Sequence, residues 1–273
     1  MKPRVGHIRF LNSMPLYEGM RITGLLDLIE LVKGTPRELI DMLRRGELEV
    51  SPISSVEYCK GGDDLFVIPE VSITAYESVE SVVLVSKVPI DELDKSRISL
   101  SNASSTSQTL LKVILREYYD IYPEYIEMEP DLQKMLEVSD AALLIGDPAL
   151  IAFWREDELF KYDLSHEWYR HTGMGMSYAI WVIREAYAEC EHDQARWLVD
   201  GIKNAMRTGE SAIEHTIDVI SNNGYPQERL KRYFGKLSFG LSQKDVEGLL
   251  IFFKKAFDLG LVEKVPDIRF FGD

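Results

Sequence analysis

The run Ile98 to Leu115, ISLSNASSTSQTLLKVIL, decides how the rest of this chain is read. Its first residues, with Arg97 ahead of them, alternate as a half-buried strand does. Then come Ser101, Asn102, Ser104, Ser105, Thr106 and Ser107, interrupted only by Ala103. Leu110, Leu111, Ile114, Leu115 and Tyr118 follow at the spacing of one helix face. The order is strand, polar turn, helix. A helix start presents unpaired backbone N–H groups and the positive end of the helix dipole. Hydroxyls placed there can hold an anion without adding a formal charge. The same residues also serve as ordinary N-caps, so one such junction decides little by itself.

The pattern recurs three times. Arg4 to Leu11 reads as a strand that runs into Asn12-Ser13-Met14-Pro15 and a short helix. Leu48 to Ser51 reads as a strand followed by Pro52-Ile53-Ser54-Ser55 and a helical turn through Tyr58. Ala141 to Ile145 is a buried strand followed by Gly146-Asp147-Pro148 and an apolar helix through Phe153. Strands alternating with helices predict an α/β fold with a mainly parallel sheet. Ligands in open α/β sheets sit beyond the carboxyl ends of the strands. Four polar junctions of this kind suit a small molecule bearing carboxylates.

Other signals fill in the frame. Thr35-Pro36-Arg37-Glu38 has the form of a capping box, and Gly46 closes the helix that follows. Leu65 to Pro69 and Ser81 to Ser86 read as strands. Pro89 marks a crossing point, because it suits neither a helix interior nor a central strand. Leu164 to Gly175 reads as irregular, and Ser177 to Ile183 as a strand returning to the first lobe. From Glu185 onward the pattern is helical, ending in Ser242 to Leu259, a segment expected to pack on the first lobe. The expected division is residues 1–88 plus 180–273 in a discontinuous first lobe and 89–179 in the second.

Composition removes several classes of function. The chain has 273 residues, a net charge of −14 and no basic stripe, which argues against nucleic acid or an anionic membrane as partner. Cys59 and Cys190 form no metal-spacing pattern. The start, MKPRVGHIRFLNSMP, lacks a long apolar run, and no stretch could span a bilayer, so a cytoplasmic protein is expected. None of His7, His166, His171, His192 and His215 pairs with a second ligand at metal spacing, so no metal is expected. No Walker loop, no G-x-G-x-x-G run and no G-x-S-x-G elbow occurs, so no nucleotide cofactor and no serine-hydrolase chemistry is expected.

The motifs together resemble a known family. IRFLNSMPL (Ile8 to Leu16), GELEVSPISSVEY (Gly46 to Tyr58), SVVLVS (Ser81 to Ser86), SSTS (Ser104 to Ser107), DAALLIGDPAL (Asp140 to Leu150) and WYRHTGM (Trp168 to Met174), followed by Trp181, occur in order. The chain is thereby similar to the chorismate dehydratases of the futalosine route to menaquinone. After Thr172-Gly173 the family more often has a Pro and aromatic residues, where this chain has Met174-Gly175-Met176-Ser177-Tyr178.

The resemblance implies a two-lobed α/β fold like that of type II periplasmic binding proteins, with the ligand cleft between lobes. It also implies a cofactor-independent hydro-lyase acting on chorismate, as a monomer or homodimer. Asn12 and Ser81 are then the expected catalytic pair. Ser54, Ser55, Ser104, Ser105, Thr106, Ser107, Gly146, Asp147 and Thr172 are the expected substrate contacts. The alternative is a non-enzymatic binder of a small carboxylate metabolite.

Overall fold

The computed structural model describes residues 2–272, which form two compact units. The first holds residues 2–74, 177–243 and 266–272; the second holds 75–176 and 244–265. In chain order the first unit supplies β1 (Arg4–Ile8), α1 (Met14–Ile22), β2 (Glu30–Gly34), α2 (Pro36–Arg44), β3 (Val50–Ser54), α3 (Glu57–Gly61) and β4 (Leu65–Ala75). The second supplies β5 (Val82–Ser86), β6 (Arg97–Ser101), α4 (Ser105–Tyr118), β7 (Glu124–Met128), α5 (Leu132–Val138), β8 (Ala141–Ile145), α6 (Gly146–Trp154), β9 (Phe160–Asp163) and α7 (Leu164–Thr172). The chain returns along β10 (Met176–Arg184) and continues through α8 (Glu185–Cys190), α9 (His192–Ser211), α10 (Ile213–Ser221), α11 (Gln227–Phe234) and β11 (Leu237–Ser238) to α12 (Gln243–Asp258).

The sheet of the first unit has the order β11-β4-β10-β3-β1-β2, and that of the second β7-β6-β8-β5-β9. Neither is purely parallel. β1 runs parallel to β2 and β3, and β6 runs parallel to β7 and β8. The strands that lead into and out of each unit reverse direction: β10 is antiparallel to β3, and β5 is antiparallel to both β8 and β9. The expected mainly parallel sheet is therefore corrected to two mixed sheets.

The division also falls elsewhere than expected. Val82 to Ser86 pair with Ile145 to Ala141 and with β9, so Ser81 and β5 belong to the second unit. Nearly all of α12 belongs there too, rather than to the first unit. Phe252 of α12 meets the edge of the Trp168 ring at 6.0 Å, and Lys255 pairs with Glu117 at 3.0 Å. Tyr76 donates to Asp245 Oδ1 at 2.6 Å. These contacts outweigh the bare amphipathic pattern that sequence reveals.

Local rules explain the helix ends. Thr35 and Glu38 form the capping box, with Glu38 N donating to Thr35 Oγ1 at 3.3 Å and Thr35 N to Glu38 Oε2 at 2.8 Å. Residues 164–172, read from sequence as irregular, are helical. Asp163 caps the start through Ser165 N at 2.9 Å, and Gly173, at φ 68°, provides the left-handed stop. The core of the first unit includes the α1–α9 contact, where Leu16 and Met20 are fully or almost fully buried.

Candidate functional site

In the first unit β1 and β3 lie side by side and parallel, so their carboxyl ends share one edge of the sheet. Asn12 and Ser54 lie at that edge. Asn12 sits in a 3₁₀ turn, Leu11–Ser13, that bridges β1 to α1. It is half-buried, and its Oδ1 accepts from Ser13 Oγ at 3.4 Å. Ser54 is the last residue of β3 and is buried.

Ser55, the next residue, is anchored to the neighbouring strand. Its hydroxyl donates to the Ser177 carbonyl at 2.7 Å and its N–H to the Tyr178 carbonyl at 3.1 Å. It ties β3 to β10. Behind it lies a buried hydroxyl chain that sequence reasoning missed, in which Thr74 bonds Ser177 at 2.7 Å and Ser72 at 2.9 Å. Ser72 also donates to the Gly240 carbonyl. Single Ser and Thr residues in strands give no local signal of such a network.

His7, one strand position before the end of β1, is buried against Tyr17 at a centroid distance of 5.6 Å, and Lys33 Nζ lies 4.4 Å from the Tyr17 ring centre. Burial, aided by the Lys33 charge, pushes the His7 imidazole down to about 4 from its usual 6.5. It is neutral at neutral pH. The unfolded chain takes up a proton here at higher pH than the fold does. The stabilising contribution is therefore present above the ordinary 6.5 and fades as pH falls toward 4. His7→Phe should remove about 2 kcal/mol of the stability lost between about pH 7 and about pH 5, read from urea melts at the two values.

In the second unit β6 and β8 are parallel neighbours, and β5 runs against β8. The end of β6, the end of β8 and the start of β5 therefore share one edge. Ser104 to Ser107, Gly146 to Asp147 and Ser81 are brought together there. Ser104 caps α4 by accepting from Ser107 N at 3.4 Å, and Ser107 Oγ lies 3.2 Å from Ser104 Oγ. Thr106 and Ser107 are buried, whereas Ser105 and Asp147 are half-buried. Gly146 begins α6 at φ 63°, a conformation that a side chain would strain.

Ser81 is buried at 2% exposure and held through its backbone. Its N–H donates to the Val79 carbonyl at 2.6 Å, and its carbonyl accepts from Gly146 N at 2.8 Å. The residue before it, Glu80, is left-handed at φ 56° and 1% exposed, and accepts from the Trp154 indole at 2.7 Å. Asp163, at the end of β9, accepts from Ser78 Oγ, Val79 N and Glu80 N at 2.7, 2.9 and 2.7 Å. Sequence reasoning missed Glu80, Trp154 and Asp163, because each makes its contact with a partner more than 70 residues away in the chain.

Thr172 and the neighbouring His171 both lie in the last turn of α7. Thr172 donates to the Trp168 carbonyl at 2.8 Å and accepts from Met174 N at 3.1 Å, so it finishes α7. His171 stacks on Tyr118 at 4.1 Å with ring planes 5° apart, and burial lowers its pKa. Among the described residues no group of three or more His, Cys, Asp or Glu side chains could hold a metal ion. No helix among them is long and apolar enough to cross a membrane. A cavity of about 730 Å³ in the first unit is lined by Arg4, Glu49, Tyr187 and His192 among others. It lies at the amino end of β1, the edge opposite Asn12.

Residues 3–258 match the model of a family described as menaquinone biosynthesis. The chain belongs to this family. A chorismate dehydratase of Thermus thermophilus is 29% identical over 269 residues, covering 92% of this chain and 94% of the relative. Among solved structures, an Archaeoglobus fulgidus protein matches with TM-score 0.73 and 23% identity, over 95% of this chain and 98% of that one. The periplasmic aliphatic sulphonate binding protein of Escherichia coli matches with TM-score 0.67 and 15% identity, over 97% and 95%. The fold is thus that of the periplasmic binding proteins. In this family member the polar strand ends of each sheet carry most of the residues expected to form the site.

Proposed function

We propose that this protein is a chorismate dehydratase of the futalosine route, a hydro-lyase that removes one water from chorismate and leaves 3-[(1-carboxyvinyl)oxy]benzoate. The observation that carries this is the likeness to the Thermus thermophilus chorismate dehydratase along nearly the whole of both chains. The polar strand ends support it, since they offer hydroxyls, an amide and helix starts, all suited to holding carboxylates.

The chemistry asks little else. The proton to be lost lies on the ether-bearing ring carbon, conjugated through the ring alkene to the ring carboxylate. Charge released there flows into that carboxylate, and the hydroxide leaves from the neighbouring carbon as the ring becomes aromatic. In this proposal the enolpyruvyl carboxylate of the substrate takes the proton, and the protein fixes its geometry. Asn12 and Ser81 orient the reacting edge, and one of them donates to the departing hydroxyl. Ser54, Ser105, Thr106 and Ser107 with the start of α4 hold carboxylates, where donors stabilise developing charge. Gly146 and Asp147 shape the wall beside Ser81. Ser55, Ser104 and Thr172 act behind these, through the backbone bonds described above.

Mixing the purified protein with chorismate and following the ultraviolet spectrum tests this. A benzoate-type band growing as chorismate is consumed is the expected result. Saturable binding with an unchanged ligand spectrum would instead identify a binder of carboxylate metabolites.

A further inference from the structure

The loop before β5 is wound around one carboxylate. Ser78 Oγ, Val79 N and Glu80 N all donate to Asp163 Oδ2. The other oxygen accepts from Ser165 N at 2.9 Å and His166 N at 3.3 Å. Asp163 is buried, so these bonds compete little with water. Successive N–H groups converging on one anion form a nest, and a nest fixes the local backbone.

The same loop carries a conformation that side chains seldom adopt. Glu80 is left-handed at φ 56°, and its carboxylate is buried against Trp154. Such backbone persists only where the surroundings over-determine it. Here Asp163 holds the Glu80 N–H, and Trp154, the last residue of α6, holds its side chain. Gly146, the first residue of α6, holds the Ser81 carbonyl at 2.8 Å. The backbone on both sides of Ser81 is thereby set, and with it the direction from which its hydroxyl departs.

We propose that Asp163 is a positioning residue for Ser81, acting through the left-handed turn at Glu80. The proposal rests on the role given to Ser81 above. Asp163 need not touch substrate. It accepts from the N–H groups of the loop and locks the turn, so that the Ser81 hydroxyl meets the substrate in one orientation. An amide in its place presents an NH₂ donor to a group of donors, and the turn loosens.

The test is a double-mutant cycle. Asp163→Asn and the milder Ser78→Ala are each made in the native chain and in Ser81→Ala, and kcat and KM for chorismate are measured below the melting range of every variant. In the native background Asp163→Asn should lower kcat about tenfold or more and Ser78→Ala about threefold, with KM within about threefold. In the Ser81→Ala background neither should lower kcat more than about twofold, because the group being positioned is gone. Equal losses in both backgrounds, or a loss confined to KM, would overturn the proposal. If the native protein forms no product from chorismate, the functional reading fails on its own, and amide hydrogen exchange judges the positioning role. Asp163→Asn should then speed exchange about tenfold at residues 79–81 and leave residues 83–85 unchanged. No change, or a uniform change along β5, would overturn it.

Discussion

Ser81→Ala should lower kcat for chorismate dehydration by about 100- to 1,000-fold while KM moves less than about threefold. The side chain removed is small and buried, and the backbone that holds Ser81 is bonded through Val79, Gly146 and Glu80 rather than through its hydroxyl alone. The fold should therefore survive with little change in melting temperature. Removing a hydrogen bond that forms only in the transition state leaves substrate binding intact and shows in kcat. Asn12→Ala should behave alike, since its amide lies in the turn that leads into α1. Ser105→Ala gives the contrast. It is half-buried in the first turn of α4, and in its proposed role as a carboxylate contact the loss of its hydroxyl should raise KM by about tenfold and spare kcat. Steady-state kinetics on the three purified variants separates these outcomes. Normal turnover by both Ser81→Ala and Asn12→Ala would remove the catalytic assignment.

Gly19→Ala should destabilise the first unit by at least about 3 kcal/mol, and Gly209→Ala by as much. A Cβ at Gly19 would lie 1.8 Å from the Ala205 carbonyl oxygen, and one at Gly209 would lie 1.8 Å from the Pro15 carbonyl oxygen. Both obstacles are backbone, so no side-chain rotation relieves them. α1 and α9 would have to part, exposing Leu16 and Met20, which are otherwise sealed. In a chain of this size the melting temperature should drop by roughly 10 °C. Gly240→Ala is the control, since its Cβ would meet nothing within 4 Å, and it should shift stability by less than about 0.5 kcal/mol. Because α1 begins just after Asn12, partial separation of the helices should also depress turnover.

Residues with local signatures are legible in the sequence. The capping box at Thr35 and Glu38, the alternation of β6 and the Ser104 cap all act within a few residues. The α/β class and the four strand-to-helix junctions follow from the same short-range patterns. Legibility fails where a partner is distant in the chain. Strand direction is one case: β5 and β10 read as ordinary strands, and only pairing with β8 and β3 shows that they run backwards. Unit membership is another. Pro89 looks like the crossing point, yet the chain crosses after Thr74, because β5 finds its partners beyond Pro89.

α7 is hidden for a different reason. Its run of Trp, Tyr, Arg and His masks the helical period, and its start depends on Asp163, whose second oxygen serves a loop more than 80 residues earlier in the chain. The same distance hides the machinery around Ser81. A serine at a strand start and a glutamate before it carry no sign of a left-handed turn. Ser55 shows the converse: a residue of the right chemistry at the right junction whose hydroxyl also bonds the backbone of a strand more than 100 residues away.

The most direct measurement of chorismate dehydration by this protein is proton magnetic resonance of chorismate incubated with a catalytic amount of the purified chain, with no added metal or nucleotide. The ring-diene signals should be replaced by aromatic signals of 3-[(1-carboxyvinyl)oxy]benzoate over many turnovers, while the enolpyruvyl methylene signals persist. Chorismate signals that shift or broaden on binding but never give way to product would contradict the proposed activity.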